Sequence, residues 1–202
     1  MSIKKIIEKT DYNYVIWLIM ETESDMIKLL QPTKHELGEI NTINHILRKK
    51  QNMAARISLN YLAKKKVKLK YKENGAPYCD EFKHISISHS KQYSMVLTSD
   101  NVIGIDIQAK IENIENIKSK FINTTDNIEI TKDNVTNLHL AWCFKEAIYK
   151  TRNESPISIK MDINLNLTKN RGQFKTKESM INYNLKYDVL ENYFITMAKK
   201  IL

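Results

Sequence analysis

The sequence predicts an α+β fold, and three observations support that class. Apolar residues make up 42 % of the chain, as in ordinary globular proteins. Some apolar segments alternate with a period of two, as strands do, and others recur at helical spacing. The order strand, helices, strands occurs twice, and it changes over near residue 100. We therefore expect two halves, 1–100 and 101–202, that form one compact unit without a flexible linker.

The first half opens with a strand and two short helices. The apolar run from Tyr14 to Met20 predicts a buried strand. Ser24 is a suitable N-cap for a short helix that ends before Pro32. Thr33 and Glu36 match a capping box, in which each side chain accepts a hydrogen bond from the backbone N–H of the other. A second helix should therefore begin there.

A long helical segment and three strands follow. Apolar residues recur at helical spacing from Glu39 to Lys66, which predicts one helix, or two helices with a break near 49–52. The segments Val67–Tyr71, His84–Ser88 and Tyr93–Thr98 have the residue types and alternation that favour strands. We expect the last two of them to form an antiparallel meander with the next strand along the chain.

The second half is predicted to contain one strand, one helix and then a run of strands. Val102–Gln108 alternates strictly, and an irregular polar segment with a short helical piece at Ile114–Phe121 follows it. Asn137 is expected to cap a helix that runs to about Arg152. From Ile157 to Leu202 the pattern alternates as three or four further strands.

The charge and the cysteines indicate the kinds of partner and the compartment. A net charge of +9 favours polyanions such as nucleic acid, a membrane surface or an acidic protein, although a lysine-rich composition explains the excess equally well. Cys79 and Cys143 have no metal-ligand spacing, so we expect free thiols in a cytoplasmic protein. The N-terminal segment lacks the pattern of a signal peptide, and no apolar run has the length of a membrane span.

The strictly alternating strand carries the first group of candidate functional residues. Alternation places Gly104, Asp106 and Gln108 on the side opposite the three isoleucines. That side presents a carboxylate and an amide oxygen, and the glycine leaves room for a bulky group to approach the backbone.

The predicted helix carries a second group. Trp142, Glu146 and Lys150 recur at four-residue spacing and share one face, and Lys145 lies beside that face. An acid on a strand that faces an acid and two lysines on a helix can hold a divalent cation together with an anionic oxygen, as phosphoryl chemistry requires. An ordinary helical ion pair between Glu146 and Lys150 explains the same spacing without any site.

Three motifs in this order resemble those of the surfactin-type 4'-phosphopantetheinyl transferases. They are Ile87-Ser88-His89-Ser90, Gly104-Ile105-Asp106-Ile107 and the helical segment from Trp142 to Lys150. The resemblance covers residues 45–152. It implies two similar α+β halves related by pseudo-twofold symmetry, with the active site in the cleft between them.

The resemblance also implies a metal site and roles in catalysis. Asp106, Gln108 and Glu146 would bind Mg²⁺, with Mn²⁺ as a substitute. Glu146, or a water on the metal, would take the proton of an attacking serine, and Lys150 would stabilise charge on the departing oxygen. The family usually has Glu at the position of Gln108. An amide supplies no charge, so we expect weaker Mg²⁺ binding here.

Residues for coenzyme A follow from the same resemblance. Those that it assigns to the coenzyme are Ser88, His89, Arg56, Lys145 and Lys150. His89 would contact the phosphates of coenzyme A, and Arg56 would bind the 3'-phosphate through its planar fork of donors. Ala76 stands where the family often has Lys, so binding is expected to depend on Arg56, Lys72 or a neighbouring lysine.

The sequence thus predicts a Mg²⁺-dependent enzyme that transfers the 4'-phosphopantetheine arm of coenzyme A to a serine of an apo carrier protein. The other product would be adenosine 3',5'-bisphosphate. The expected partner is an acidic acyl, polyketide or peptidyl carrier protein, which the positive chain would attract. We expect a monomer and neither a membrane nor a nucleic-acid partner. The alternatives are a homologue that binds carrier or coenzyme A without catalysis, and a basic nucleic-acid-binding or nuclease domain.

Overall fold

Two units, Met1–Asp100 and Asn101–Leu202, account for the fold, and each combines helices with an antiparallel sheet. The computed structural model describes residues 3–128, 135–152 and 157–201. The α+β class predicted from the sequence is confirmed. The boundary between the units coincides with the division at residue 100 made from the sequence. Within the described ranges, no helix is both long and apolar enough to cross a lipid bilayer.

The first unit contains a four-stranded antiparallel sheet and a separate two-stranded one. The strands are β1 (Ile3–Glu8), β2 (Tyr12–Leu18), β3 (Lys70–Tyr71), β4 (Pro77–Tyr78), β5 (His84–Ser90) and β6 (Tyr93–Ser99). The large sheet has the order β1-β2-β6-β5, and β3 pairs with β4. The sequence pattern did not predict β1, because its exposed residues alternate with only half-buried ones. Strand β3 is shorter than the predicted segment Val67–Tyr71.

Three helices of the first unit lie between β2 and β3. They are α1 (Glu23–Leu30), α2 (Lys34–Asn41) and α3 (Ile46–Ala63). The capping box is confirmed, because Thr33 Oγ1 accepts from the N–H of Glu36 at 3.2 Å and Glu36 Oε2 accepts from the N–H of Thr33 at 2.8 Å. Thr22, rather than Ser24, caps α1. The helical break lies at 42–45 rather than near 49–52.

The core of the first unit forms where these helices cover the sheet. Helix α3 packs against β6 and β2, and α1 packs against α3. Trp17 from the sheet, Met26 from α1 and Met53 from α3 are fully buried in one cluster. Burial of side chains of this size contributes roughly 1.5–3 kcal/mol each, so this contact stabilises the unit.

The second unit contains a five-stranded antiparallel sheet. Its strands are β7 (Ile103–Ala109), β8 (Ile163–Asn166), β9 (Arg171–Lys175), β10 (Met180–Leu190) and β11 (Tyr193–Lys200). Their order is β7-β11-β10-β9-β8, so the run of strands expected after Ile157 is confirmed. The predicted meander is wrong in one respect: β7 pairs with β11 rather than with β6. Both edges of β6 are already paired, with β2 and with β5.

One long helix covers this sheet. Helix α4 (Val135–Tyr149) packs against β7 and β11, and a 3-10 helix (Ile114–Lys120) packs against α4. Asn137 lies inside α4, so its predicted role as the cap is wrong. Buried side chains of the helix, such as Phe144 and Ile148, share one cluster with Phe174 and Tyr183 of the strands.

The two units have the same connectivity in their central strands. In the first unit, β2 is followed by helices and then by β5 and β6, and β6 pairs between β2 and β5. In the second unit, β7 is followed by α4 and later by β10 and β11, and β11 pairs between β7 and β10. The units differ in their additional strands, which are β1 in the first unit and β8 with β9 in the second.

Helix and sheet of the second unit come closest at Gly104. A Cβ atom there would collide with the carbonyl oxygen of Ala147 and would lie 2.8 Å from Cγ2 of Thr151. The bulky group expected at this glycine is the backbone of the helix itself. Glycine is therefore needed on β7 for α4 to pack at this distance.

We predict that Gly104→Ala destabilises the protein by about 2–3 kcal/mol, because the new methyl group overpacks a contact made by backbone. Urea unfolding followed by circular dichroism measures the loss. Gly172→Ala is the matched control: its nearest neighbour would be the terminal methyl of Ile148 at 2.5 Å, which can rotate away. Equal losses in the two variants would show that backbone contact at Gly104 is not the limiting feature.

Candidate functional site

Asp106 and Lys150 form the centre of the candidate site in the second unit. Asp106 projects from β7 on the same side as Gly104 and is 5 % exposed. Lys150 follows the last residue of α4, and its Nζ donates to Oδ1 of Asp106 at 2.7 Å and to the carbonyl oxygen of Ile105 at 3.1 Å. The strand acid and the helix lysine that the sequence singled out are therefore in direct contact.

Glu146 lies one helical turn before Lys150, and the charges of Asp106 and Lys150 both act on its carboxyl group. Burial raises the pKa of Glu146, and the negative charge of Asp106 raises it further. The positive charges of Lys150 and Arg152 oppose that shift. Two partly desolvated carboxylates thus repel each other beside a lysine, an arrangement that additional positive charge would stabilise.

The side chains of the candidate site provide enough oxygen ligands for Mg²⁺. This ion usually takes one or two carboxylates and completes its six ligands with water and substrate oxygens. Asp106 and Glu146 supply two carboxylates. Gln108 is half-buried two residues along the same side of β7, and its Nε2 donates weakly to the carbonyl oxygen of Ala109 at 3.3 Å. Within the described ranges, no group of three or more His, Cys, Asp or Glu side chains is arranged to hold a metal.

Cys143 is a neighbour of this site that the sequence analysis did not assign to it. The residue is fully buried, as expected of a cysteine packed on its helix. Burial raises the pKa of its thiol well above the usual value, and the charge of Asp106 adds to the effect. The thiol therefore stays protonated next to the Asp106 carboxylate. Its position three residues before Glu146 and seven before Lys150 was the available signal.

Lys145 does not belong to the candidate site, which corrects the sequence analysis. Its side chain is fully buried, and Nζ forms an ion pair with Oδ2 of Asp126 at 2.7 Å. Asp126 also accepts hydrogen bonds from the backbone N–H groups of Asn123 at 2.9 Å and Leu165 at 2.8 Å. Burial lowers the pKa of Lys145, and Asp126 opposes that shift. Neither charge is exposed to a phosphate.

In the first unit, the exposed side chains of Arg48 and His89 are in direct contact. His89 lies on β5, and Nη1 of Arg48 lies 3.0 Å from Nδ1 and 2.9 Å from Nε2 of its ring. The same Nη1 donates to Oε1 of Gln51 at 3.3 Å, and Nε2 of Gln51 donates to the carbonyl oxygen of Lys91 at 2.6 Å. Ser88 alternates to the other side of the strand and is buried. Within the described part of the chain, Arg48 forms no ion pair with a carboxylate.

Arg56 is a structural residue in this fold, and its predicted contact with a phosphate is corrected. The residue is 3 % exposed. Its guanidinium donates to Oε2 of Glu39 at 2.8 Å, to Oδ1 of Asn52 at 2.9 Å and to Oε1 of Glu36 at 3.5 Å. These contacts tie α3 to α2. Arg48, eight residues earlier in the same helix, is the exposed arginine.

The turn at residues 72–76 lies on the surface. Gly75 has φ of 79°, and the N–H of Lys72 donates to the carbonyl oxygen of Ala76 at 2.9 Å. The left-handed conformation explains the glycine. Lys72 is exposed, and its charge contributes, after burial, to lowering the pKa of His84. Lys72 is thus an exposed cation near His84, and its binding to a phosphate stays a prediction.

A scan against known protein families found no match for this chain, and a search of curated proteins found no significant match either.

We predict that Lys145→Met lowers the free energy of unfolding by about 3 kcal/mol, because it leaves the buried Asp126 carboxylate without its counter-charge. Urea unfolding measures the change. The double variant with Asp126→Asn should recover part of the loss, and Lys150→Met, which removes a partly exposed lysine, should cost less. Undiminished stability with weakened coenzyme A binding would restore the phosphate role of Lys145.

Proposed function

We propose that the protein transfers the 4'-phosphopantetheine arm of coenzyme A to a serine of an apo carrier protein. The proposal rests on two interactions of Asp106 in the second unit. Its carboxylate accepts a hydrogen bond from Lys150, and its charge raises the pKa of Glu146. A strand acid whose charge acts on a helix acid, with a lysine hydrogen-bonded to the strand acid, provides the groups that a phosphoryl-type transfer needs.

The proposal includes the family's fold, in which two similar halves are related by pseudo-twofold symmetry. The common connectivity of β2, β5 and β6 with β7, β10 and β11 supports it. It also includes a cytoplasmic monomer that acts on acidic acyl, polyketide or peptidyl carrier proteins. The positive net charge supports such a partner, since opposite charges speed association.

Each side chain of the candidate site has a distinct role in the proposed reaction. Bound Mg²⁺ would neutralise charge on the diphosphate of coenzyme A, with Asp106, Glu146 and Gln108 as its protein ligands. Glu146, or a water held beside it, would accept the proton of the attacking serine. Asp106 fixes the ammonium of Lys150 by a 2.7 Å hydrogen bond, and that charge favours departure of the anionic product.

Phosphates of coenzyme A are assigned to the Arg48–His89 pair of the first unit instead of to Arg56. Both side chains are exposed, and an arginine provides several donors in one plane for phosphate oxygens. Lys72 remains a candidate for a further phosphate contact in place of the lysine missing at Ala76. Lys145 has no role in substrate binding.

We predict that the protein, incubated with coenzyme A, Mg²⁺ and a panel of apo carrier proteins, adds the mass of one phosphopantetheine arm to at least one carrier. Asp106→Asn should lower the rate at least about 100-fold, because it removes a metal ligand and the partner of Lys150. Asp80→Asn is the matched control, since it makes the same charge change at an exposed ion pair. Mass spectrometry of the carriers gives the readout.

Three outcomes contradict the transferase. No mass shift on any carrier argues against the reaction. Coenzyme A binding without transfer, unchanged by Asp106→Asn, would indicate the impaired homologue. Binding of DNA that collapses with salt and that coenzyme A does not compete with would indicate a nucleic-acid-binding domain.

The amide at position 108 generates a separate prediction. Gln108→Glu should lower the Mg²⁺ concentration needed for half-maximal transfer about tenfold, because a third carboxylate adds charge to the metal site, and tenfold corresponds to about 1.4 kcal/mol. Gln92→Glu adds the same charge at an exposed position of the first unit and should leave the Mg²⁺ requirement unchanged. An unchanged requirement in Gln108→Glu would place this residue outside the metal site.

A further inference from the structure

The second unit has a pocket of about 510 Å³ on the face of its sheet that α4 does not cover. Strand β8 shows how the two faces differ. Ile163 and Leu165 are buried in the cluster that includes α4, whereas Asn164 and Asn166 alternate to the other face and line the pocket. The pocket therefore lies apart from Asp106, which is on the α4 side of the sheet.

Strand register aligns the polar side chains of this pocket in two rows. Asn164 is paired with Gln173, and Gln173 is paired with Asn182, so these amides lie side by side across β8, β9 and β10. In the next row, Asn166 is paired with Arg171. Paired residues of antiparallel strands point to the same face, about 5 Å apart, so one small ligand can contact both rows.

Hydrogen bonds within the protein fix which atom of Asn164 is left for a ligand. Nδ2 of Asn123 donates to the carbonyl oxygen of Lys160 at 2.6 Å, which sets the orientation of the Asn123 amide. That Nδ2 also donates to Oδ1 of Asn164 at 3.0 Å, and Thr125 Oγ1 donates to the same oxygen at 2.7 Å. Nδ2 of Asn164 has no acceptor within the described ranges.

The side-chain amide of Asn166, like that of Asn164, has its oxygen bonded within the protein. Its Oδ1 accepts from the backbone N–H of Lys169 at 3.0 Å and from Oγ1 of Thr168 at 2.8 Å. A backbone N–H can only donate, so the bonded atom is the oxygen and Nδ2 remains as a donor. No acceptor for this Nδ2 occurs in the part of the chain that the structure describes. Both asparagines thus offer N–H groups to the pocket.

The charged residues of the pocket are also hydrogen-bond donors, like the Nδ2 groups of the two asparagines. Lys169 and Arg171 line it, and its lining includes neither Asp nor Glu among the residues that the structure describes. Across the described segments, neither cation forms an ion pair with a carboxylate. Amide donors beside a lysine and an arginine favour an anion with several acceptor oxygens, and the guanidinium plane suits phosphate in particular.

We propose that this pocket binds a phosphorylated small molecule, such as a sugar phosphate or a nucleotide. Phosphate oxygens would accept from Arg171, Lys169 and the Nδ2 groups of Asn164 and Asn166. The paired amides of Gln173 and Asn182 would contact hydroxyl groups. The volume is within the range of small-ligand sites. The proposal does not depend on the transferase reaction.

Titration of the full chain with sodium pyrophosphate and with ribose 5-phosphate, followed by two-dimensional NMR, tests this site. The side-chain amide signals of Asn164 and Asn166 should shift. Arg171→Gln should weaken binding at these signals at least about tenfold, because it removes a charged donor. Lys175→Gln is the matched control: it removes one charge from the same exposed face of β9, outside the pocket, and should change affinity less than about twofold.

Three results would overturn the site. The first is binding that Arg171→Gln leaves unchanged. The second is equal weakening by Lys175→Gln, which would indicate general attraction to a basic surface. The third is a pocket that responds to a glutamate-rich peptide and to neither phosphate, which would indicate an acidic protein partner. Arg171→Gln should retain transfer activity, so loss of the reaction and loss of this site are separate observations.

Discussion

The close packing of α4 on β7 is the constraint on which the candidate site depends. Because position 104 has no side chain, the helix backbone reaches the strand, and the lysine just beyond the helix end reaches Asp106. A helix displaced by the size of a methyl group would separate Lys150 from Asp106 and would admit water to Glu146. The packing thus sets both the geometry of the charges and their desolvation, which together raise the pKa of Glu146.

Two ion pairs on the same helix show how their surroundings give them different roles. Lys145 and Asp126 are both fully buried, and two backbone N–H groups complete the surroundings of the carboxylate, so the charges balance. Lys150 is partly exposed whereas Asp106 is buried, and the pair shares its surroundings with the charges of Glu146 and Arg152. An isolated buried pair serves the fold, whereas two carboxylates beside a partly exposed lysine can take part in binding a cation and an anionic substrate.

The sequence predicted those features whose cause is local. The capping box of Thr33 and Glu36 lies within four residues, and the alternation around Asp106 is a property of a single strand. Both were therefore visible in the chain. The helical spacing of Glu146 and Lys150 also placed them on one face, as the strand alternation placed Asp106 opposite the isoleucines.

Features that depend on distant parts of the chain were not predictable in this way. Whether Arg48 or Arg56 is exposed depends on the position of Glu36 and Glu39 on α2, which pack against one of these arginines and not the other. The burial of Lys145 depends in the same way on a loop that comes before α4. Residue type indicated possible phosphate binding in each case, but only tertiary packing decides which cation remains accessible.

The two units have the same strand connectivity but different side chains where their helix packs on their sheet. In the second unit, the strand before the helix provides Asp106, and the helix provides Glu146 and Lys150, so the polar groups meet where helix and sheet pack. In the first unit, the corresponding contact between strand and helix buries Trp17 and Met53, and the exposed Arg48 near the beginning of α3 contacts His89 instead. Both units therefore have an apolar core between helix and sheet, and in the second unit the same contact also includes Asp106, Glu146 and Lys150. The difference lies in a few side chains at the helix–sheet contact, which is where changes of function are accommodated without a change of fold.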